Sequence, residues 1–146
     1  MSEAANPVDA VVRLLSENMR VVKEDERLAN IQVSREWLSQ EALQNVDGQV
    51  TVGLAECLDT KIDLSGKVRR RVCTIRVNVW SRDQLIRSKM VEEVLRIVRE
   101  NNSSPGGNLA YLDVVSFRDL DRVDVKPFIY RTEFVLKSWL FENVGV

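Results

Sequence analysis

Two long stretches of alternating residues, 67–80 and 127–142, constrain the fold of this chain more than any other feature. Apolar residues occupy every second position from Cys73 to Val79, and most alternate positions from Phe128 to Leu140 repeat the pattern. Such alternation predicts strands with one buried face. At roughly 3.3 Å per residue, 67–80 extends about 46 Å, whereas strands of about 5–6 residues are commonest. Two such strands must bend at bulges or project towards another subunit.

The remaining pattern predicts two helices and two further strands. Apolar residues at spacings of three, four and seven predict helices over 6–22 and 82–100, and alternation predicts strands over 49–57 and 108–118. A loop is expected over 58–66. Residues 29–38 are ambiguous, with Ile31 and Val33 favouring a short strand, and 39–48 are turn-like.

Capping residues place the starts of the two predicted helices. Asn6 precedes Pro7, which suits the first helical position, so Asn6 is the expected cap of the first helix. Ser81 with Gln84 three residues later fits a capping box for the second helix. We expect Met90, Val94 and neighbouring apolar residues of that helix to lie on the sheet.

The predicted order of elements is helix, strands, helix, strands. A chain of 146 residues suits a single domain over 1–146. The fold class that follows is α+β, with a mostly antiparallel sheet and long β-hairpins packed against two helices. The first residues lack a signal-peptide pattern and apolar runs are short, so we expect no membrane span.

Composition removes several classes of active site. The chain has no His, which excludes Ser-His-Asp and Cys-His catalysis and imidazole metal sites. Its two cysteines, Cys57 and Cys73, form no CxxC motif. Pairing of 49–57 with 67–80 would bring them near each other, but two buried free thiols are the simpler expectation. We therefore predict no catalytic residues, no metal and no cofactor.

Charged and aromatic residues outside the predicted core mark candidate contact surfaces. Basic residues crowd the start of the strand at 67–80, and acidic residues occupy the 58–66 loop and the corner at 119–124. Tryptophans lie on the outer faces of the two long strands. Half-apolar outer faces favour an interface with another subunit. The candidate interface residues are Lys67, Arg69, Arg71, Asp59, Asp63, Trp80, Asp119, Asp121, Asp124 and Trp139.

The segment from Val72 to Arg82 resembles the tail-terminator or tail-completion proteins of long-tailed phages and archaeal tailed viruses. In that family a long strand ends in an apolar-x-apolar-Trp-Ser/Ala pattern before the second helix, here Val77, Val79, Trp80 and Ser81. The opening helix, the 50–79 hairpin and the final strands also resemble the family in their order.

The resemblance implies a structural virion protein rather than an enzyme. Its expected partners are other copies of itself in a hexameric ring, the tail tube protein and a head-completion or connector protein. DNA would pass through the ring without sequence-specific binding. The expected location is the tail or neck of the virion, after synthesis in the host cytoplasm.

Two other functions compete with the terminator interpretation. A small nucleic-acid-binding domain would act through the basic strand 67–76, although a net charge of -1 disfavours backbone binding. A small enzyme using carboxylates is the third candidate, but the sequence does not indicate a pocket for it.

Overall fold

The two long alternating stretches form neighbouring strands at the centre of one sheet. A computed structural model describes residues 6–35, 45–62, 65, 67–107, 109–121 and 129–143. Its elements are α1 (Pro7–Asn18), β1 (Ile31–Ser34), β2 (Gly48–Lys61), β3 (Val68–Ser81), α2 (Gln84–Glu100), β4 (Tyr111–Asp119) and β5 (Tyr130–Asn143).

The sheet has the strand order β1-β2-β3-β5-β4. β1 pairs with β2 in parallel, and the other three pairings are antiparallel. The described residues thus form an α+β fold with two helices and five strands, which confirms the predicted fold class. The last strand, β5, lies between β3 and β4 rather than at an edge.

Both helices pack on one face of this sheet, which we call the helix face. The alternation predicted from Cys73 to Val79 is confirmed, because every second side chain there is fully buried. Met90 and Val94 of α2 are also fully buried in the same apolar cluster. The opposite face, called the back face, carries the intervening residues of each strand, such as Val72 and Trp139.

Helix boundaries differ from the sequence prediction in two places. The Asn6 side chain accepts a hydrogen bond from the Val8 amide at 3.0 Å, which confirms this cap, but α1 ends at Asn18 rather than at residue 22. The predicted Ser81 cap is wrong. Ser81 is the buried last residue of β3, and Asp83 caps α2 by accepting from the amides of Leu85 and Ile86.

An ion pair on α2 holds the chain that follows α1. The Glu93 carboxylate accepts from Arg96 Nε at 2.6 Å and from the Arg20 amide at 2.8 Å. Arg96 also donates to the Asn18 carbonyl at 3.0 Å. The Arg96 hydrogen bond is the largest cause that lowers the pKa of Glu93, against a smaller opposing effect of burial.

β2 is longer than the sequence suggested. Residues 58–61 continue the ladder opposite β3, so the loop predicted over 58–66 starts too early. The Ile62 amide donates to the Val68 carbonyl at 3.0 Å, which shortens the loop between β2 and β3 further. Register shifts lie between Leu54 and Glu56 in β2 and between Val114 and Ser116 in β4. The bulges therefore lie in the partner strands β2 and β4, whereas β3 and β5, the two long predicted strands, pair with each other without a register shift.

The expectation of two free thiols is wrong. Cys57 and Cys73 are direct register partners on β2 and β3 and form a disulfide, with their Cα atoms 4.1 Å apart. The physical reason is the extended β2 ladder, which places position 57 opposite position 73. Cys73 is fully buried, whereas Cys57 is exposed.

The part of the chain that the structure describes contains no helix long and apolar enough to cross a membrane. Residues 29–38 include β1 at Ile31–Ser34, while 36–44 lie outside the described residues.

Candidate assembly interface

The far half of the long strands extends beyond the helices. The first five residues of β2 are buried and its last nine are exposed. We call residues 53–61, 68–73 and 138–143 the arm. Its three segments are joined by the β2–β3 and β3–β5 ladders and by the Cys57–Cys73 disulfide. The arm is therefore a cross-linked piece of sheet whose β2 strand is exposed, while Cys73, Ser138 and Leu140 within it are buried.

A row of apolar side chains crosses the back face at the arm. Leu58 is the register partner of Val72, Val72 that of Trp139, and Trp139 that of Tyr111. The Tyr111 and Trp139 rings stack with centroids 4.7 Å apart. We call these four residues, together with Phe141, the aromatic row. Leu58 and Phe141 are 59% and 53% exposed, so the row leaves apolar surface in water.

Basic and acidic residues predicted at the interface face each other on the arm itself. Arg69 Nε lies 3.0 Å from Asp59 Oδ2, and Asp59 is also the register partner of Arg71. Lys67 is exposed next to β3, and Asp63 lies outside the described residues. Because Arg69 and Asp59 already pair within one chain, these charges are less available to a partner than the sequence suggested.

The acidic corner neutralises a buried arginine that the sequence analysis did not single out. Arg87 of α2 is only 4% exposed and forms ion pairs with Asp121 and Asp119. Its Nη2 donates to Asp121 Oδ2 at 3.3 Å, and its Nη1 donates to the Arg131 carbonyl at 3.2 Å. The Thr132 hydroxyl donates to Asp119 at 2.7 Å.

The position of Arg87 in the sequence was the one feature from which its burial could have been predicted. It follows the buried Ile86 and precedes the buried Met90 by three residues, so it borders the apolar stripe of α2. A charged residue at such a position is buried only with a partner. Asp121 therefore stabilises the monomer, while Asp119 keeps a side chain that is 62% exposed. Asp124 lies outside the described residues.

Trp80 is covered by its own chain. It is 6% exposed, and its Nε1 donates to Thr51 Oγ1 at 3.0 Å. The Arg131 guanidinium lies 4.7 Å from the centre of the Trp80 ring and donates from Nε to Asn78 Oδ1 at 2.8 Å. Trp80 thus supports the back face, and of the two predicted tryptophans Trp139 is the one placed on the arm.

A shallow groove of about 380 Å³ lies on the back face beside the base of the arm. Arg35, Arg76 and Arg131 contribute positive charge to its lining, and Glu133 contributes negative charge. Arg35 pairs with Asp9 at 3.0 Å and Arg131 pairs with Glu133 at 3.3 Å. Most of the charge in this groove is therefore compensated within the chain.

The basic strand considered for nucleic-acid binding does not present an unbroken row of available cations. Arg69 pairs with Asp59, and the Arg70 guanidinium lies 5.5 Å from the centre of the Trp139 ring. The arrangement of the described residues therefore offers an apolar contact surface flanked by paired charges. Among those residues no three His, Cys, Asp or Glu side chains are grouped to hold a metal ion.

Comparison with solved structures found chains of similar fold. No protein-family model and no curated protein matches the chain. A solved structure, the sheath/tube terminator in the extended state of an extracellular contractile injection system (PVC), is similar over 94% of this chain with a TM-score of 0.49 and 11% identity. The chain covers 55% of the length of that terminator. This similarity concerns the course of the backbone alone.

Proposed function

We propose that this chain is a structural, non-enzymatic protein that forms a ring, caps a tail tube and connects it to head-completion proteins. The observation that carries the proposal is the arm. Its strands continue past the helices and place the aromatic row on a face that the core of the same chain does not use. A cross-linked, partly apolar extension of this kind is suited to contact with another subunit.

Apolar surface contributes more to this contact than charge does. Full burial of a large apolar side chain is worth about 1.5–3 kcal/mol. Leu58 and Phe141 are each somewhat more than half exposed, so covering both supplies about 2 kcal/mol per contact. An exposed pair such as Arg69–Asp59 supplies about 0–1 kcal/mol. Lys67, Arg69 and Arg71 then set the register at the rim of the interface.

A closed ring repeats one head-to-tail contact between neighbouring copies. In the proposed assembly the ring is a hexamer on the tail tube, its other side meets the connector, and DNA passes through the lumen without base recognition. The protein acts in the tail or neck of the particle after synthesis in the host cytoplasm. No catalytic group or cofactor is assigned to it.

The experiment compares two substitutions at equally exposed leucines. Leu58 and Leu28 are both 59% exposed, but only Leu58 lies on the arm. Leu58→Lys should raise the protein concentration needed for assembly about tenfold, because apolar contact is lost and a cation is placed in the interface. Leu28→Lys should leave assembly unchanged.

Light scattering measures the mass, and negative-stain electron microscopy shows whether the assemblies are rings. The two leucine variants should melt at similar temperatures, since both positions are exposed in the monomer. A parent protein that stays monomeric at all concentrations, also when purified tail tubes are added, would refute the proposal. Equal assembly of both variants would refute the role of the arm.

A further inference from the structure

Within the described part of the chain, the sheet has two edges with backbone groups that face no other strand. β1 pairs with β2 only over Gly48–Thr51, so from Val52 to Lys61 the outer side of β2 faces no strand among the described residues. β4 is the other end of the strand order. Open edges present rows of N–H and C=O groups that accept another strand.

Some outer backbone groups of β4 already form hydrogen bonds within the chain. The Leu112 amide donates to the Asn102 carbonyl at 2.9 Å, and the Val114 amide donates to the Asp113 carboxylate at 2.9 Å. Residues 116–119, beyond the bulge, have no such bonds to the outer side among the described residues. On β2, the residues just after its own bulge begin at Glu56. Each edge thus offers a short regular segment bounded by a bulge.

The directions of the two strands suit a head-to-tail contact. β3, β5 and β4 each run antiparallel to the preceding strand in the sheet, so β4 runs opposite to β2. Rotation about an axis roughly along the strands preserves these directions. The β4 edge of one copy would therefore meet the β2 edge of the next as an antiparallel pair. Because the two edges are different surfaces, this contact is head to tail, and a ring requires a contact of that kind.

Complementary charges and matching faces of the sheet favour one register for the pairing of the β2 edge with the β4 edge. With Glu56 opposite Arg118, Leu58 lies opposite Ser116, and all four residues belong to the back face. Glu56 is exposed and forms no ion pair within the described part of the chain. Arg118 has a side chain that is 72% exposed and only a 3.7 Å contact to Glu133. On the other face, Cys57 meets the half-exposed Phe117.

We propose that residues 56–58 on the β2 edge of one copy pair antiparallel with residues 116–118 on the β4 edge of the next copy, with Glu56 opposite Arg118. The inference rests on the ring proposed above and names the contact that closes it. The aromatic row then continues towards the neighbouring sheet through Leu58 and adds apolar contact beside the ladder. The occupant of the edge is a second copy of this chain.

A zero-length cross-link tests this register directly. Arg118→Lys keeps the positive charge and supplies an amine, which a carbodiimide joins to a carboxylate in contact with it. Within one chain β2 and β4 are separated by β3 and β5, so Glu56 cannot reach position 118 of its own copy. In an equal mixture of ¹⁵N-labelled and unlabelled protein, mass spectrometry should find peptides linked through Glu56 and position 118 that combine both labels.

Controls separate this inference from the proposed function. Glu56→Gln in the Arg118→Lys background should abolish the linked peptide. Reversal by Glu56→Arg should raise the protein concentration needed for assembly about fivefold, and Arg118→Glu in the same chain should restore it. Glu17→Arg, a charge reversal at an exposed position of α1 outside both paired segments, should have no effect. Rings without the Glu56 link overturn the edge pairing and leave the ring standing. Absence of rings at every concentration overturns both.

Discussion

Reduction of the Cys57–Cys73 disulfide should lower the stability of the monomer measurably. The two cysteines are separated by 16 positions along the chain. For a loop of that size, the entropy removed from the unfolded state corresponds to about 3 kcal/mol at 25 °C. With an unfolding entropy of about 2.1 cal/mol/K per residue, this predicts a fall in Tm of about 10 °C for the oxidised protein on reduction.

Circular dichroism melts with and without a phosphine reductant measure this effect. Cys57→Ala is the matched control, because Cys57 is exposed and the buried Cys73 keeps its place in the core. The variant should melt like the reduced parent and should not respond to reductant. Two titratable thiols per untreated chain, together with a melt that reductant leaves unchanged, would refute the reasoning.

Two further predictions concern ion pairs on α2. Asp121→Ala should lower the free energy of unfolding, measured by urea denaturation, by about 3 kcal/mol, because it leaves the buried Arg87 charge without its main partner. Asp119→Ala should lower it by about 1 kcal/mol or less. Equal losses for the two variants would contradict this assignment. The pKa of Glu93 is lowered from 4.5, so its pairing with Arg96 stabilises the fold above that pH and the contribution is lost as pH falls through the lower folded pKa. The stability difference between the parent and Glu93→Gln should therefore shrink in acid, and a difference that does not change with pH would count against the pairing.

Local patterns predicted the elements well where one face of the chain is buried. The alternation from Cys73 to Val79 identified β3 and its inward face, and Asn6 identified the start of α1. Ser81 misled the assignment of the second cap because Asp83 offers the same chemistry two residues later and is not part of the strand. Pairing between distant segments, such as parallel β1–β2, leaves no comparable local signal.

The candidate interface was predictable in outline. Strand length alone indicated a projecting ribbon, and Trp139 was correctly assigned to its outer face. Leu58 was missed because residues 58–61 contain polar residues that resemble a loop, whereas cross-strand pairing makes them a strand. The Arg87–Asp121 contact joins residues 34 positions apart, so their proximity depends on how α2 lies across the sheet.

The place of β5 inside the sheet has a consequence for synthesis on the ribosome. β4 pairs with β5, and β5 also pairs with β3, so among the described strands none lies beside β4 until Tyr130–Asn143 has left the exit tunnel. Until then the nascent chain exposes the unpaired side of β3 and the apolar residues of β4. Such intermediates bind chaperones and aggregate readily, and pairings between distant segments form slowly. The described five-stranded sheet is therefore complete only after β5, the last of its strands in the chain, has emerged.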